Sequence, residues 1–135
     1  MLTESQLIKI SRFSAWYDIV VTTAFATPWT FVFLMGAISE IATRLSLPGS
    51  VLSPDVFHIF FANLFGTVVV IWSVVRLRLN LSVLARYDAI GRFLFSTWMV
   101  VALANGASYI LIGLLVIEFS MGVIQALPLK RTEMA

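Results

Sequence analysis

Three ionisable residues fall within apolar stretches of the chain, where a charge is costly and therefore suggests a specific role. They are Asp18, Arg92 and Glu118. A lone ionised carboxylate in hydrocarbon is so unfavourable that the group must be neutral, paired or beside a wet cavity. Gln125 follows Glu118 by two helical turns and shares its face. We predict that Asp18, Arg92 and Glu118 form one polar cluster within the membrane, with Gln125 beside it.

Three interpretations of this cluster remain open. The leading one is an ion-paired network that fixes helix packing, because ion pairs with a purely structural role also shift the pKa values of their members. The second is a site that carries a proton or binds a substrate. The third is a contact between subunits.

A second polar set is expected in the other half of the membrane, and consists of Glu40, His58, Asn63 and Asn105. Glu40 and His58 carry ligand types that metals accept, but zinc normally takes three or four ligands. We therefore predict no metal, and a histidine hydrogen-bonded near the water boundary. The chain has one histidine and no cysteine, which excludes thiolate metal sites and a bis-histidine haem within one chain. No cofactor is expected.

The composition predicts the class of protein that must position these residues. Of 135 residues, 60% are hydrophobic and only 12% are charged, whereas about a quarter of a soluble domain is charged. This excludes a water-soluble globular domain and a disordered chain. It favours an all-α integral membrane protein with one domain over 1–135, folded as an antiparallel four-helix transmembrane bundle.

Four apolar stretches are predicted to cross the membrane, at about 15–38, 55–75, 87–104 and 108–127. The last two are separated at Asn105-Gly106, the turn-type dipeptide within an otherwise apolar run. A single helix over 93–127 would be roughly 52 Å long, which exceeds a hydrocarbon core of about 30 Å. The third helix is expected to begin near Tyr87, or as early as Ser82.

Two local signals concern the first crossing. Thr3 and Gln6 fit a capping box, so a short interfacial helix over 3–13 is predicted to precede the crossing. Pro28 lies in the middle of the first apolar stretch and predicts a kink within it, because proline removes a backbone donor.

The basic residues predict the orientation in the membrane. Eight of the nine lie beside one set of loops and ends, and cytoplasmic loops are enriched in Lys and Arg. They are Lys9, Arg12, Arg76, Arg78, Arg86, Arg92, Lys130 and Arg131, with Arg44 on the other side. Both termini are therefore predicted to be cytoplasmic. These residues lie next to the crossings, so no nucleic-acid partner is expected.

The segment Arg86-Tyr-Asp-Ala-Ile-Gly-Arg92, the aromatic-rich stretch after it, and Glu118-x-x-x-Gly122-x-x-Gln125 resemble small bacterial four-span proteins. The plan is similar to the DoxX-like and BphX-like membrane families. That resemblance implies an accessory component of the bacterial inner membrane, in some members linked to respiratory or thiol-oxidising complexes or to degradation operons.

We predict a non-catalytic accessory or scaffold subunit of a bacterial inner-membrane assembly, in contact with lipid and either homo-oligomeric or part of a larger complex. The alternative is a small oligomeric proton-coupled transporter or channel that uses Glu118 with Asp18 and Arg92. An enzyme ranks last, because the sequence contains no phosphate-binding loop and no nucleophile elbow.

Overall fold

The computed structural model describes residues 1–130, which fold into five α-helices without a β-strand. In chain order the helices are α1 (Glu4–Thr22), α2 (Pro28–Arg44), α3 (Val56–Leu79), α4 (Ser82–Ala104) and α5 (Leu111–Ala126). The prediction of an all-α fold is confirmed. Arg131, one of the residues used to predict orientation, lies outside the described residues.

Helix α1 begins at the predicted capping box and then continues further than expected. The backbone N–H of Gln6 donates to Thr3 Oγ1 at 3.2 Å, and Gln6 Oε1 accepts from the backbone N–H of Thr3 at 2.9 Å. The helix does not end near residue 13, because neither glycine nor proline interrupts it and Ser14 and Ala15 are buried against other helices. This corrects the prediction of a separate interfacial helix over 3–13.

The first apolar stretch forms two helices instead of one kinked helix. A 3₁₀ turn follows α1, and α2 leaves at 97° to it. Pro28 occupies the first turn of α2, where a missing backbone N–H leaves no bond unmade. Thr27 caps this turn, while Thr30 Oγ1 donates to the carbonyl oxygen of Ala24 at 2.8 Å. The prediction of a single helix over 15–38 kinked at Pro28 is therefore corrected to a break.

The other helices begin or end a few residues from their predicted limits. Helix α3 ends at Leu79, past the predicted limit of 75. The residue that follows, Asn80, caps it in the left-handed conformation. Helix α4 begins at Ser82, the earlier of the two expected starts. The predicted reversal is present, since Gly106 has a φ of 92° after the end of α4. Helix α5 begins at Leu111, three residues after the predicted start at 108.

Helices α1, α3, α4 and α5 pack together, and we call this packed group the bundle. Hydrogen bonds between loops hold both of its ends. At the end that we call the base, the backbone N–H of Leu2 donates to the carbonyl of Pro128 at 2.9 Å. At the opposite end, the top, the backbone N–H of Ser50 donates to the carbonyl of Gly106 at 2.9 Å. Gly49 is required there, because it has a φ of 89° and a Cβ would lie 2.4 Å from the carbonyl oxygen of Ala107.

Helices α1 and α3 approach closely where α1 gives way to the 3₁₀ turn. A Cβ at Gly66 would lie 2.6 Å from the backbone carbon of Phe25, so only glycine fits that position without a shift. One turn earlier on α3, Asn63 Nδ2 donates to the carbonyl oxygen of Phe25 at 2.8 Å. Gly66 and Asn63 are therefore the positions at which α3 packs against the 3₁₀ turn.

The exterior of the bundle is apolar. Among the described residues, α3 alone is by itself long and apolar enough to cross a membrane, and α1 with α2 passes the same test as one bent pair. Helix α5 is apolar but shorter. Large side chains such as Val20, Trp29, Phe33 and Val56 are more than three-quarters exposed.

Candidate functional site

Five charged side chains meet inside the bundle, between α1, α3, α4 and α5. This charge cluster consists of Asp18, Arg76, Asp88, Arg92 and Glu118. Each side chain is at least nine-tenths buried, and Arg76 is fully buried. Ionised groups tolerate such burial only when partners compensate for the lost water.

Arg92 on α4 connects its own helix to α1 and α5. Its Nη1 donates to Glu118 Oε2 on α5 at 2.7 Å, and its Nη2 donates to Asp18 Oδ1 on α1 at 2.8 Å. Its Nε donates to Asp88 Oδ2, one turn earlier on α4, at 3.0 Å. One guanidinium therefore connects three carboxylates on three helices.

Arg76 brings α3 into the same cluster. Its Nη1 donates to Asp88 Oδ2 at 2.6 Å, and its Nη2 donates to Asp18 Oδ2. Asp88 also accepts a hydrogen bond on Oδ1 from Trp72 Nε1 at 3.0 Å. Every oxygen of Asp18 and Asp88 thus has a donor.

Ser14 lies at the centre of the cluster, and through it Gln125 is connected. Ser14 Oγ accepts from Gln125 Nε2 at 2.9 Å and from Arg76 Nη1 at 2.8 Å, and donates to Asp88 Oδ2 at 3.2 Å. Arg92 Nη2 also donates to it, at 3.1 Å. Gln125 is fully buried, and its Oε1 accepts no hydrogen bond from residues 1–130.

The structure brings together all four residues that the sequence grouped, Asp18, Arg92, Glu118 and Gln125. Sequence reasoning missed Arg76 and Asp88, because it placed them at the limits of the second and third crossings. Helices α3 and α4 extend past those limits and carry both side chains inside. The available signal was the i,i+4 spacing of Asp88 and Arg92, which places two opposite charges on one helix face.

The second polar set does not form a site. Glu40 pairs with Arg44 at 2.5 Å on the exposed end of α2, and His58 closes a capping box with Asp55 at the start of α3. The other two members hydrogen-bond to backbone carbonyls, Asn63 to Phe25 and Asn105 to Val101. Within residues 1–130, no three His, Cys, Asp or Glu side chains are grouped so that they could hold a metal.

The charges in the cluster do not balance. Among the described residues, three carboxylates face two guanidinium groups, so the formal charge of the cluster is −1 when all five side chains are ionised. Glu118 has the fewest partners: its Oε2 accepts from Arg92, whereas its Oε1 accepts no hydrogen bond from the described residues. Among residues 1–130, Glu118 is therefore the carboxylate of the cluster that has an oxygen without a hydrogen-bond donor.

A cavity of about 850 Å³ lies between the charge cluster and the top of the bundle. Asp18, Asp88, Arg92 and Glu118 line its floor, and residues of the top loops, including Val51 and Ser108, line its far end. Its walls are largely apolar, with the aromatic rings of Phe25, Phe65, Trp72, Phe95 and Trp98 among them. The volume lies within the range of about 300–1,000 Å³ that small-molecule sites occupy.

The side chains present limit the chemistry of this site. Ser14 has carboxylate and guanidinium neighbours but no imidazole base, since the single histidine of the chain caps α3. The cluster can pair charges, hold a proton or bind a polar group at the cavity floor.

No family model, curated protein or solved structure matches the chain.

Replacing Arg92 by Met should destabilise the protein strongly, because it leaves three buried carboxylates with one guanidinium. We expect a loss of about 3–5 kcal/mol, measured by thermal unfolding in mild detergent. Arg92→Met combined with Glu118→Gln removes one stranded charge and should recover part of that loss, which gives a favourable coupling energy in a double-mutant cycle.

Arg78→Met is the matched control, because Arg78 is exposed near the end of α3. It should change the free energy of unfolding by no more than about 0.5 kcal/mol. If Arg92→Met unfolds at the same temperature as this control, the cluster does not stabilise the bundle.

Proposed function

We propose that the chain is an integral protein of the bacterial inner membrane with four crossings, both termini in the cytoplasm, and a non-catalytic accessory role. The observation that carries this proposal is the inverted distribution of polarity. Five charged side chains are buried inside, while large apolar side chains such as Trp29 and Phe33 cover the outside. In water, both the exposed apolar side chains and the buried charges would be unfavourable. In lipid, an apolar exterior is favourable, and charged side chains face the interior and pair with one another.

Four crossings are consistent with the lengths of the helices. We assign one crossing to α1 and α2 together, as a broken span in which α2 turns by 97°, and one each to α3, α4 and α5. Helix α4 carries Arg86, Asp88 and Arg92, but the latter two are buried and do not face lipid. Helix α5 has 16 residues, or about 24 Å, and the turns at Ser108–Ile110 lengthen it towards the roughly 30 Å of a hydrocarbon core.

Cysteine labelling tests the four crossings, since the chain has no native cysteine. Ser53→Cys and Tyr109→Cys lie in top loops and should react with an impermeant maleimide from the periplasmic side. Ser5→Cys and Leu81→Cys lie at the base and should react only after the membrane is opened. If Ser53→Cys and Leu81→Cys react from the same side, the four-crossing proposal is wrong.

An exposed groove supports an accessory role. It has a volume of about 440 Å³, runs along α4 and α5, and combines apolar side chains with small hydroxyl residues. Its residues include Phe93, Thr97, Val116, Phe119 and Ser120. Small and hydroxyl side chains allow close approach and hydrogen bonds between helices in lipid. A transmembrane helix of another subunit is the occupant that fits this surface, in keeping with the resemblance to DoxX-like and BphX-like proteins, which is part of this proposal.

Native mass spectrometry of the chain extracted gently from its own membranes tests the accessory role. We expect a complex of defined stoichiometry with at least one different subunit. Val116→Trp fills the groove and should dissociate the complex, whereas Val20→Trp, on the exposed face of α1, should leave it intact. A chain found alone or with copies of itself would contradict the accessory role.

A proton-coupled transporter or channel is the second candidate, and one observation favours it. The cluster carries one more carboxylate than guanidinium, and Glu118, at the floor of the cavity, has Arg92 as its single hydrogen-bond partner among residues 1–130. A proton is the simplest counter-charge for the excess carboxylate. If Glu118 releases that proton into the cavity, proton release and solute binding would depend on each other, as proton-coupled transport requires.

Vesicles that contain the purified protein test this second candidate. With wild-type protein, an imposed pH gradient should decay several-fold faster than with Glu118→Gln, as measured by an enclosed pH-sensitive dye. Glu40→Gln makes the same chemical change on the exposed end of α2 and should behave as wild type. Equal decay for wild type and Glu118→Gln would exclude a proton pathway through Glu118.

A further inference from the structure

The cavity above the charge cluster has two chemically different regions. Its floor is formed by charged side chains, and its walls are formed by apolar and aromatic side chains that continue to the top loops. A ligand that matches both regions has one polar end and an otherwise apolar body. Binding sites of this kind combine apolar walls with a few polar groups that fix the orientation of the ligand.

The sign of the charge at the floor selects the polar end. Asp18, Asp88 and Glu118 line the cavity together with Arg92, whereas Arg76 is fully buried behind them. The cavity therefore contacts three carboxylates and one guanidinium. Because electrostatic interactions are stronger away from bulk water, this surface favours a cation and disfavours an anion.

Glu118 supplies the specific contact. Its side chain is nine-tenths buried and lines the cavity, and its Oε1 accepts no hydrogen bond from residues 1–130. The oxygens of Asp18 and Asp88 are already occupied by guanidinium, indole or hydroxyl donors. A ligand that carries a positively charged hydrogen-bond donor would supply the missing donor to Glu118 Oε1 and would neutralise the excess negative charge of the cluster.

We propose that the cavity binds a hydrophobic amine in its protonated form, with the ammonium group on Glu118 Oε1 and the hydrocarbon part along the aromatic walls. The inference adds a ligand to the membrane protein proposed above and rests on that proposal for its bilayer setting. The two fail separately, because cysteine labelling tests the crossings and ligand titration tests the cavity.

Calorimetric titration of the protein in phosphatidylcholine nanodiscs provides the test, with empty nanodiscs as the blank. Three probes share one chain length: decylamine is cationic at neutral pH, decanol is neutral and decanoate is anionic. We expect decylamine to saturate one site per chain and to bind at least tenfold more tightly than the other two probes. Equal affinity for all three, or only the partitioning seen with empty nanodiscs, would overturn the proposal.

Two variants locate the site. Glu118→Gln removes the charge and should weaken decylamine binding at least tenfold while leaving decanol unchanged. Gly91→Leu introduces a side chain where a Cβ meets no atom within 4 Å and where the backbone lines the cavity. It should weaken decylamine and decanol alike, and it does so without altering the charge cluster.

Gly113→Leu is the matched control for the cavity variant. A Cβ at Gly113 also meets no atom within 4 Å, but this residue lies on the exposed face of α5, outside the cavity lining. It should bind decylamine as wild type does. If Gly91→Leu keeps wild-type affinity, or if Glu118→Gln keeps the preference for the amine, the amine does not bind at this site.

Discussion

The pairing of two guanidinium groups with three carboxylates is the interaction on which the packing of the bundle depends. Arg92 and Arg76 connect α1, α3, α4 and α5 through Asp18, Asp88 and Glu118. Desolvation makes each of these charges unfavourable alone, so the helices must meet where the partners coincide. The cluster therefore selects one relative placement of four helices, which apolar contacts alone would specify less well because hydrophobic contacts are not directional.

The same pairing also sets the charge at the floor of the proposed binding site. With one guanidinium fewer than carboxylates, the cluster presents a negative surface to a cavity whose other walls are apolar. Glu118 lines the cavity and has a carboxylate oxygen available to a ligand, because Arg92 donates to only one of its two oxygens. A stabilising network and the proposed binding site are thus compatible in one set of residues: within residues 1–130, every carboxylate oxygen of Asp18 and Asp88 accepts a hydrogen bond, whereas one oxygen of Glu118 does not.

Much of the local structure could be predicted from particular residues. Thr3 and Gln6 specify the first capping box, and Asn105-Gly106 specifies the reversal between α4 and α5, because each depends on atoms only a few residues apart. The grouping of Glu118 and Gln125 on one face follows from helical periodicity. Pro28 predicts an interruption of the helix, but the sequence pattern does not show that α2 begins there. Whether a proline kinks or begins a helix depends on the cap at Thr27 and on the contact of Phe25 with α3.

The sequence by itself determined the helical class, the apolar exterior and the need for any buried charge to find a partner, because composition and periodicity are properties of the chain alone. Only the tertiary structure decided which charges are buried. The sequence places Arg76 and Asp88 at the edges of apolar stretches, but Arg76 in the last turn of α3 and Asp88 in the second turn of α4 are both buried in the cluster. The cavity and the excess charge at its floor also depend on distances between helices, and no pattern along one helix contains those distances.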